Sequence, residues 1–202
     1  MVKGASKWND ADAYYIQSNN AVERALSRYG AKDSAVTCRP SAAVNCIASM
    51  GIHVQCYTPA GWNPQPEDVL TLWFHDKRNW EKLKDIRSGT DPQRTIYSPH
   101  EVPQYYPLAV KEVFGVDAEF QWLHDFDDMA DRVVSGQAVQ ITEKDPGHFI
   151  AVVAYDSDLD ELIINDPYPV NYTDFNGFNR RLGRAEYQEH VKPYAIMYKG
   201  TI

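Results

Sequence analysis

At 202 residues, 44 % of them hydrophobic and 24 % charged, the chain carries enough apolar material for one folded domain and lies far from the composition of a disordered segment. Its formal net charge of −8 argues against a phosphate backbone as ligand, because nucleic-acid binding needs a basic footprint that releases counterions. Three cysteines, Cys38, Cys46 and Cys56, are an odd number and too few for a disulfide framework, and no stretch approaches the roughly 20 apolar residues of a membrane helix.

The N-terminal run MVKGASKWNDADAYY lacks the apolar segment of a secretory signal, so the expectation is a soluble chain made in the cytoplasm with its thiols free. No repeat, low-complexity tract or Gly/Ser linker divides the sequence, and residues 1–202 are read as a single domain. The first predicted helix begins at Cys38. Pro40 falls in its first turn, where a missing N–H does no harm, residues 41–50 are small and apolar, and Gly51 is placed to end it. Apolar spacing predicts further helix from 67 to about 87 and from 102 to 114, with Gly115 behind the second. Asp125 and Asp128 have the positions of an N-cap and an acidic first turn for a helix that runs to Ser135 and stops at Gly136.

Beyond Gly136 the texture turns to β. Residues 138–142, 148–155, 162–165 and 194–198 are rich in Val, Ile and Tyr, and residues 156–160 between two of these runs have hairpin-loop chemistry. Helices first and antiparallel strands after them imply an α+β architecture.

Three residues in this layout have the chemistry of a nucleophilic site. Cys38 opens a helix, where the positive end of the dipole favours a thiolate, whereas Cys46, inside the apolar stretch, has the position of a buried structural thiol. His148 opens a strand that is apolar beyond it, a rigid mount for a general base; His53, His75, His100, His124 and His190 have no such placement. Asp166 ends the next strand, within reach of an imidazole presented by its neighbour, and a carboxylate there fixes the tautomer and steadies the imidazolium. Taken singly, each has a plainer reading: a structural thiol, a turn histidine, an aspartate before proline. Their order along the chain is what points to catalysis.

Thr-Cys38-Arg-Pro-Ser-Ala-Ala, Val134-Ser-Gly-Gln-Ala-Val-Gln-Ile, Gly147-His148-Phe-Ile-Ala-Val-Val-Ala-Tyr-Asp and Leu162-Ile-Ile-Asn-Asp166-Pro-Tyr resemble the bacteriocin-processing-like branch of papain-like cysteine peptidases. The resemblance implies a papain-like fold in which N-terminal helices pack on a C-terminal antiparallel sheet, with Cys38 as nucleophile, His148 as base and Asp166 as orienter. Arg39 stands where that family often carries glycine. Tyr14-Tyr-Ile-Gln17-Ser-Asn-Asn is similar to the family's Tyr-Tyr-x-Gln-x-Asn segment, which implies Gln17 as an oxyanion donor. The expected function is amide hydrolysis through a thioester, without metal or cofactor, by a monomer acting on a peptide. Peptidoglycan stem or cross-bridge peptides are the leading substrate, as for a phage lysis enzyme or an antibacterial effector released to the wall or periplasm.

Residues 140–178 carry eight Asp/Glu against one Lys, while residues 1–50 carry six Lys/Arg against four Asp/Glu, so a cleft lined by the later segment is expected to favour amines. A metallopeptidase is disfavoured because there is no His-Glu-x-x-His, and Glu186 with His190 reads as a solvated helix face. A transglutaminase-type acyl transferase uses the same three residue types in the same order, and an inactive binding module on the same scaffold is the non-enzymatic alternative.

Overall fold

A computed structural model describes residues 1–16, 37–54, 65–86, 99–122, 124–145, 147–168 and 177–200. The helices are α1 (Cys38–Ser49), α2 (Pro66–His75), α3 (Lys77–Leu83), α4 (Tyr106–Phe114), α5 (Phe126–Val134) and α6 (Arg184–His190). The strands are β1 (Val2–Gly4), β2 (Asp117–Trp122), β3 (Ala138–Thr142), β4 (Phe149–Asp156), β5 (Glu161–Asn165), β6 (Arg180–Gly183) and β7 (Tyr194–Lys199).

Local chemistry accounts for most helix ends. Gly51 follows the last turn of α1 at φ +79°, and Gly115 ends α4 at φ +72°, a backbone region open to glycine because it has no Cβ. Asp125 and Asp128 form a reciprocal capping box on α5, and Gln65 with Asp68 does the same on α2. The helix expected from 67 to about 87 is two helices. At Asp76 the backbone turns extended, and the Asp76 carboxylate caps α3 by accepting the Arg78 N–H at 3.0 Å. The expected helix at 102–114 begins as a 3-10 turn at Pro103–Tyr105 before it widens into α4.

The strands form one antiparallel sheet in the order β2-β7-β3-β4-β5-β6, with β1 paired to the far end of β4. The four strands expected from sequence are its centre, and β1, β2 and β6 are additions. Side-chain alternation splits the core in two. Ala138, Ala151, Val153, Ile163 and Ile196 face α1, α2 and α4, whereas Val139, Ile141, Val152, Ile164 and Met197 face Phe126, Met129 and Val133 of α5. The expected packing of N-terminal helices on the sheet is therefore present, and α5 covers the second face. Because both faces are covered, β4 is buried along nearly its whole length, which makes its ends rigid mounts.

Candidate active site

Helix α1 lies on β4 and β3 with its N-terminus at the start of β4. Two bonds hold that end. Gln140 of β3 donates its side-chain N–H to the Arg39 carbonyl at 2.8 Å, and the Tyr198 hydroxyl donates to Gln140 Oε1 at 2.8 Å. Cys38 packs with Ala42 and Phe149, and the Thr37 side chain makes no capping bond to the first-turn N–H groups at the positive end of the helix.

His148 is delivered by Gly147, which turns the chain at φ +91°, and its carbonyl accepts the Glu143 N–H at 2.8 Å from the neighbouring strand's end. Asn165 pairs with Ala151, so Asp166, the next residue, emerges beside the mouth of β4. His148 Nε2–H donates to Asp166 Oδ1 at 2.5 Å, and the ring also hydrogen-bonds the Cys38 side chain, which leaves Nδ1 as the nitrogen facing sulfur. The structure thus brings together Cys38, His148 and Asp166. Gln17 lies outside the described residues, as does Cys56.

Burial is the strongest influence on His148 and pulls its pKa down. Hydrogen bonds to Asp166 and Cys38, with their negative charge, outweigh it and hold the imidazolium up to about 10. The His148 and Asp166 side chains are only 14 % and 8 % exposed. Tyr168 stands edge-on to the His148 ring with centroids 6.3 Å apart and forms an exposed wall beside it.

Sequence reasoning missed the residues that support this trio. Asp166 Oδ1 also accepts the Tyr168 N–H at 2.9 Å, and Arg180 of β6 donates Nη1 to Asp166 Oδ2 at 2.9 Å and Nη2 to Glu143 at 2.6 Å. The Tyr14 hydroxyl donates to the Asp166 carbonyl at 2.5 Å, and burial, with Asp166 next to it, pushes that phenol well up and keeps it a donor. Asn45 of α1 clamps the backbone of Tyr15 through two bonds of 2.8 and 2.9 Å, fixing the segment that leads into Gln17. Arg180 lies in a stretch without periodicity, so no local signal marked it; the Tyr-Tyr pair of the Gln17 segment was the available signal for Tyr14.

The acidic-cleft expectation is corrected. Asp156, Asp158, Asp160 and Glu161 sit at the hairpin end of β4, the whole length of the strand away from His148, and pair with the N-terminus, Arg181 and Arg184. Glu143 and Asp166 share Arg180, Asp145 alone among the described acids of this segment is left exposed near His148, and Asp174 lies outside the described residues. Among the described residues no three His, Cys, Asp or Glu side chains are grouped to hold a metal ion, and Glu186 and His190 are exposed on α6. Cys38 and Cys46 are free thiols on one helix, as their spacing implies.

Residues 11–190 match the Peptidase_C39 like family. Comparison with curated proteins returns no match. Among solved structures, the chain is similar to a double glycine motif protease from an AMS/PCAT transporter in complex with the leader peptide, at 11 % identity over 81 % of this chain and 84 % of that one, TM-score 0.46. It is also similar to the peptidase domain of Streptococcus mutans ComA, at 21 % identity over 62 % of this chain and 94 % of that one, TM-score 0.35. No helix among the described residues is long and apolar enough to cross a membrane.

Proposed function

This chain belongs to the Peptidase_C39 like family, a family of papain-like peptidases, and from that premise we propose that it is a cysteine peptidase working through Cys38, His148 and Asp166. The observation that carries the reading is the imidazole of His148, bonded on one side by a buried carboxylate and on the other by the thiol at a helix start. Such an imidazole takes up the thiol proton as the sulfur attacks and holds it for the leaving group.

The Cys38 sulfur attacks the substrate carbonyl carbon, and the C=O electron pair moves onto oxygen. Collapse of that intermediate breaks the C–N bond, and the leaving amine takes the proton held by His148. The acyl group is left as a thioester on Cys38. His148, now neutral, takes a proton from water, whose oxygen attacks the thioester carbonyl; the acid departs and the thiol is restored. One water is consumed and one peptide bond is cut. Asp166 accepts the imidazole N–H throughout and steadies the imidazolium, as the aspartate of a serine-protease triad does. The oxyanion falls to backbone N–H groups at the start of α1, and the resemblance assigns a further donor to Gln17, each donor being worth about 2.7–4 kcal/mol in the transition state.

Peptidoglycan stem or cross-bridge peptides are the substrate class we propose. Purified wall fragments digested by the wild type and by Cys38→Ala, then read by mass spectrometry, test both levels. New amino termini formed by the wild type alone support the whole reading. Cleavage retained in Cys38→Ala rules out the thiol, while intact wall fragments alongside cleavage of a peptide library rule out the wall substrate and leave the peptidase.

A further inference from the structure

Arg39 follows the proposed nucleophile and is almost closed to solvent, at 3 % exposure. Its guanidinium carbon lies 3.5 Å from the ring centroid of Phe149 and 5.8 Å from that of Tyr106, and the group hydrogen-bonds the Tyr194 side chain. Cys38 and Ala42 form one small buried cluster with the same Phe149. Cation and Cys38 therefore share one aromatic wall, and that wall is the residue after His148. Arg39 Nε has no hydrogen-bond partner, and no carboxylate among the described residues pairs with this guanidinium.

A buried cation without an anion is costly, and a stacked aromatic ring offsets only part of that cost. The titratable groups around it are Cys38 on its own helix, Tyr106 of α4, Tyr194 and Tyr198 of β7, and His148 at the mouth of β4, with Glu101 beyond Tyr106. Burial pushes the Tyr106 and Tyr198 phenols well above their usual value, so they stay neutral. The positive charge of His148 is already matched by Asp166. Among the described residues, what remains to match Arg39 is the anion that forms on Cys38.

We propose that Arg39 is a positioning residue that holds a fixed positive charge against the aromatic wall it shares with Cys38, and so favours the thiolate before substrate arrives. The inference rests on Cys38 being the nucleophile. Glycine at this position would leave the dipole of α1 and His148 to do this alone, so Arg39 is a second, charge-based means of activating the thiol.

The test is the pH dependence of Cys38 alkylation by iodoacetamide, followed on the Cys38 peptide by mass spectrometry, in the wild type, Arg39→Met, Arg39→Lys and His148→Ala. Methionine of similar length suits the apolar wall, and replacing a buried charge by a packed apolar side chain is often neutral for folding; Arg39→Gln provides the same comparison if the Met variant does not melt cooperatively. Loss of the charge should slow labelling about tenfold on the acid limb and leave the plateau unchanged. Arg39→Lys should keep the wild-type profile, since the charge survives. An unmoved profile in Arg39→Met, or a Lys variant displaced as far as the Met variant, overturns the role of Arg39 while a displaced His148→Ala profile still upholds the nucleophile. A wild-type Cys38 that titrates near the ordinary value of about 8.5 and does not respond to His148→Ala overturns the nucleophile and this inference together.

Discussion

Replacing Asp166 by Asn keeps the side chain's shape and removes the charge that His148 leans on. Three effects act on that imidazole: burial favours the neutral ring, and the bonds to Asp166 and Cys38 favour the cation, leaving the pKa at about 10 against an ordinary 6.5. That gap corresponds to roughly 5 kcal/mol in favour of the protonated ring, shared between the two partners. Placing the measurement in a Cys38→Ala background removes the sulfur's share. There, His148 should still titrate well above 6.5 because of Asp166, and in Cys38→Ala/Asp166→Asn it should fall below 6.5 because only burial is left. The single variant should therefore titrate clearly above the double variant. Imidazole Cε1–H shifts followed by NMR from pH 5 to 10.5 read it directly, without a substrate. The sign carries over to stability. A histidine whose folded pKa lies above its unfolded one stabilises fully below about 6.5, and that contribution disappears as pH rises through about 10. The unfolding free energy of the wild type over Asp166→Asn should therefore be largest near pH 6 and shrink steadily towards pH 10. Superimposable His148 titrations with and without the carboxylate, or a double variant still above 6.5, would show that Asp166 does not set the charge of this ring.

Iodoacetamide at neutral pH should label Cys38 in the native protein and reach Cys46 only on unfolding, because Cys46 is fully buried and burial pushes its thiol well up; equal labelling of Cys38, Cys46 and Cys56 by peptide mass spectrometry removes the case for a nucleophile. Gly177→Ala would put a Cβ 2.2 Å from the Asp166 carbonyl oxygen and 2.3 Å from the Tyr14 hydroxyl, so a loss of about 1–3 kcal/mol is expected in urea unfolding, and an unchanged midpoint would show that the contact relaxes freely. Glu67 is buried without a partner for either carboxylate oxygen, and burial pushes its pKa up to about 8. Its folded pKa lies above its unfolded one, so wild-type stability is undiminished below about 4.5 and is lost as pH rises through 8. Glu67→Gln should match the wild type near pH 4.5 and exceed it by several kcal/mol at pH 8, as thermal melts at the two pH values would report; equal melts at pH 8 refute an uncompensated buried carboxyl.

The sequence by itself determined the elements whose signals are local. The Asp125–Asp128 capping box, Pro40 inside the first turn, and Gly51, Gly115 and Gly136 behind their helices are encoded within a few residues, and the structure keeps them. The four central strands were legible because burial on both faces makes them continuous apolar runs. The order Cys38, His148, Asp166 was legible for a related reason: each stands at an element end, and ends are what turn and cap residues mark. The edge strands were not, because Asp117–Trp122 and Arg180–Gly183 are only partly buried and carry no such run. Tertiary structure alone decided what surrounds the trio. Sheet register brings Arg180 to Asp166 and sends the acidic hairpin to the opposite end of β4, although both belong to the same acidic half of the sequence. Contacts between Tyr14 and Asp166, or Gln140 and Arg39, join residues 152 and 101 positions apart. Periodicity and capping rules extend over a turn or two of chain, whereas these pairings depend on which strands lie side by side, and that is a property of the packed sheet.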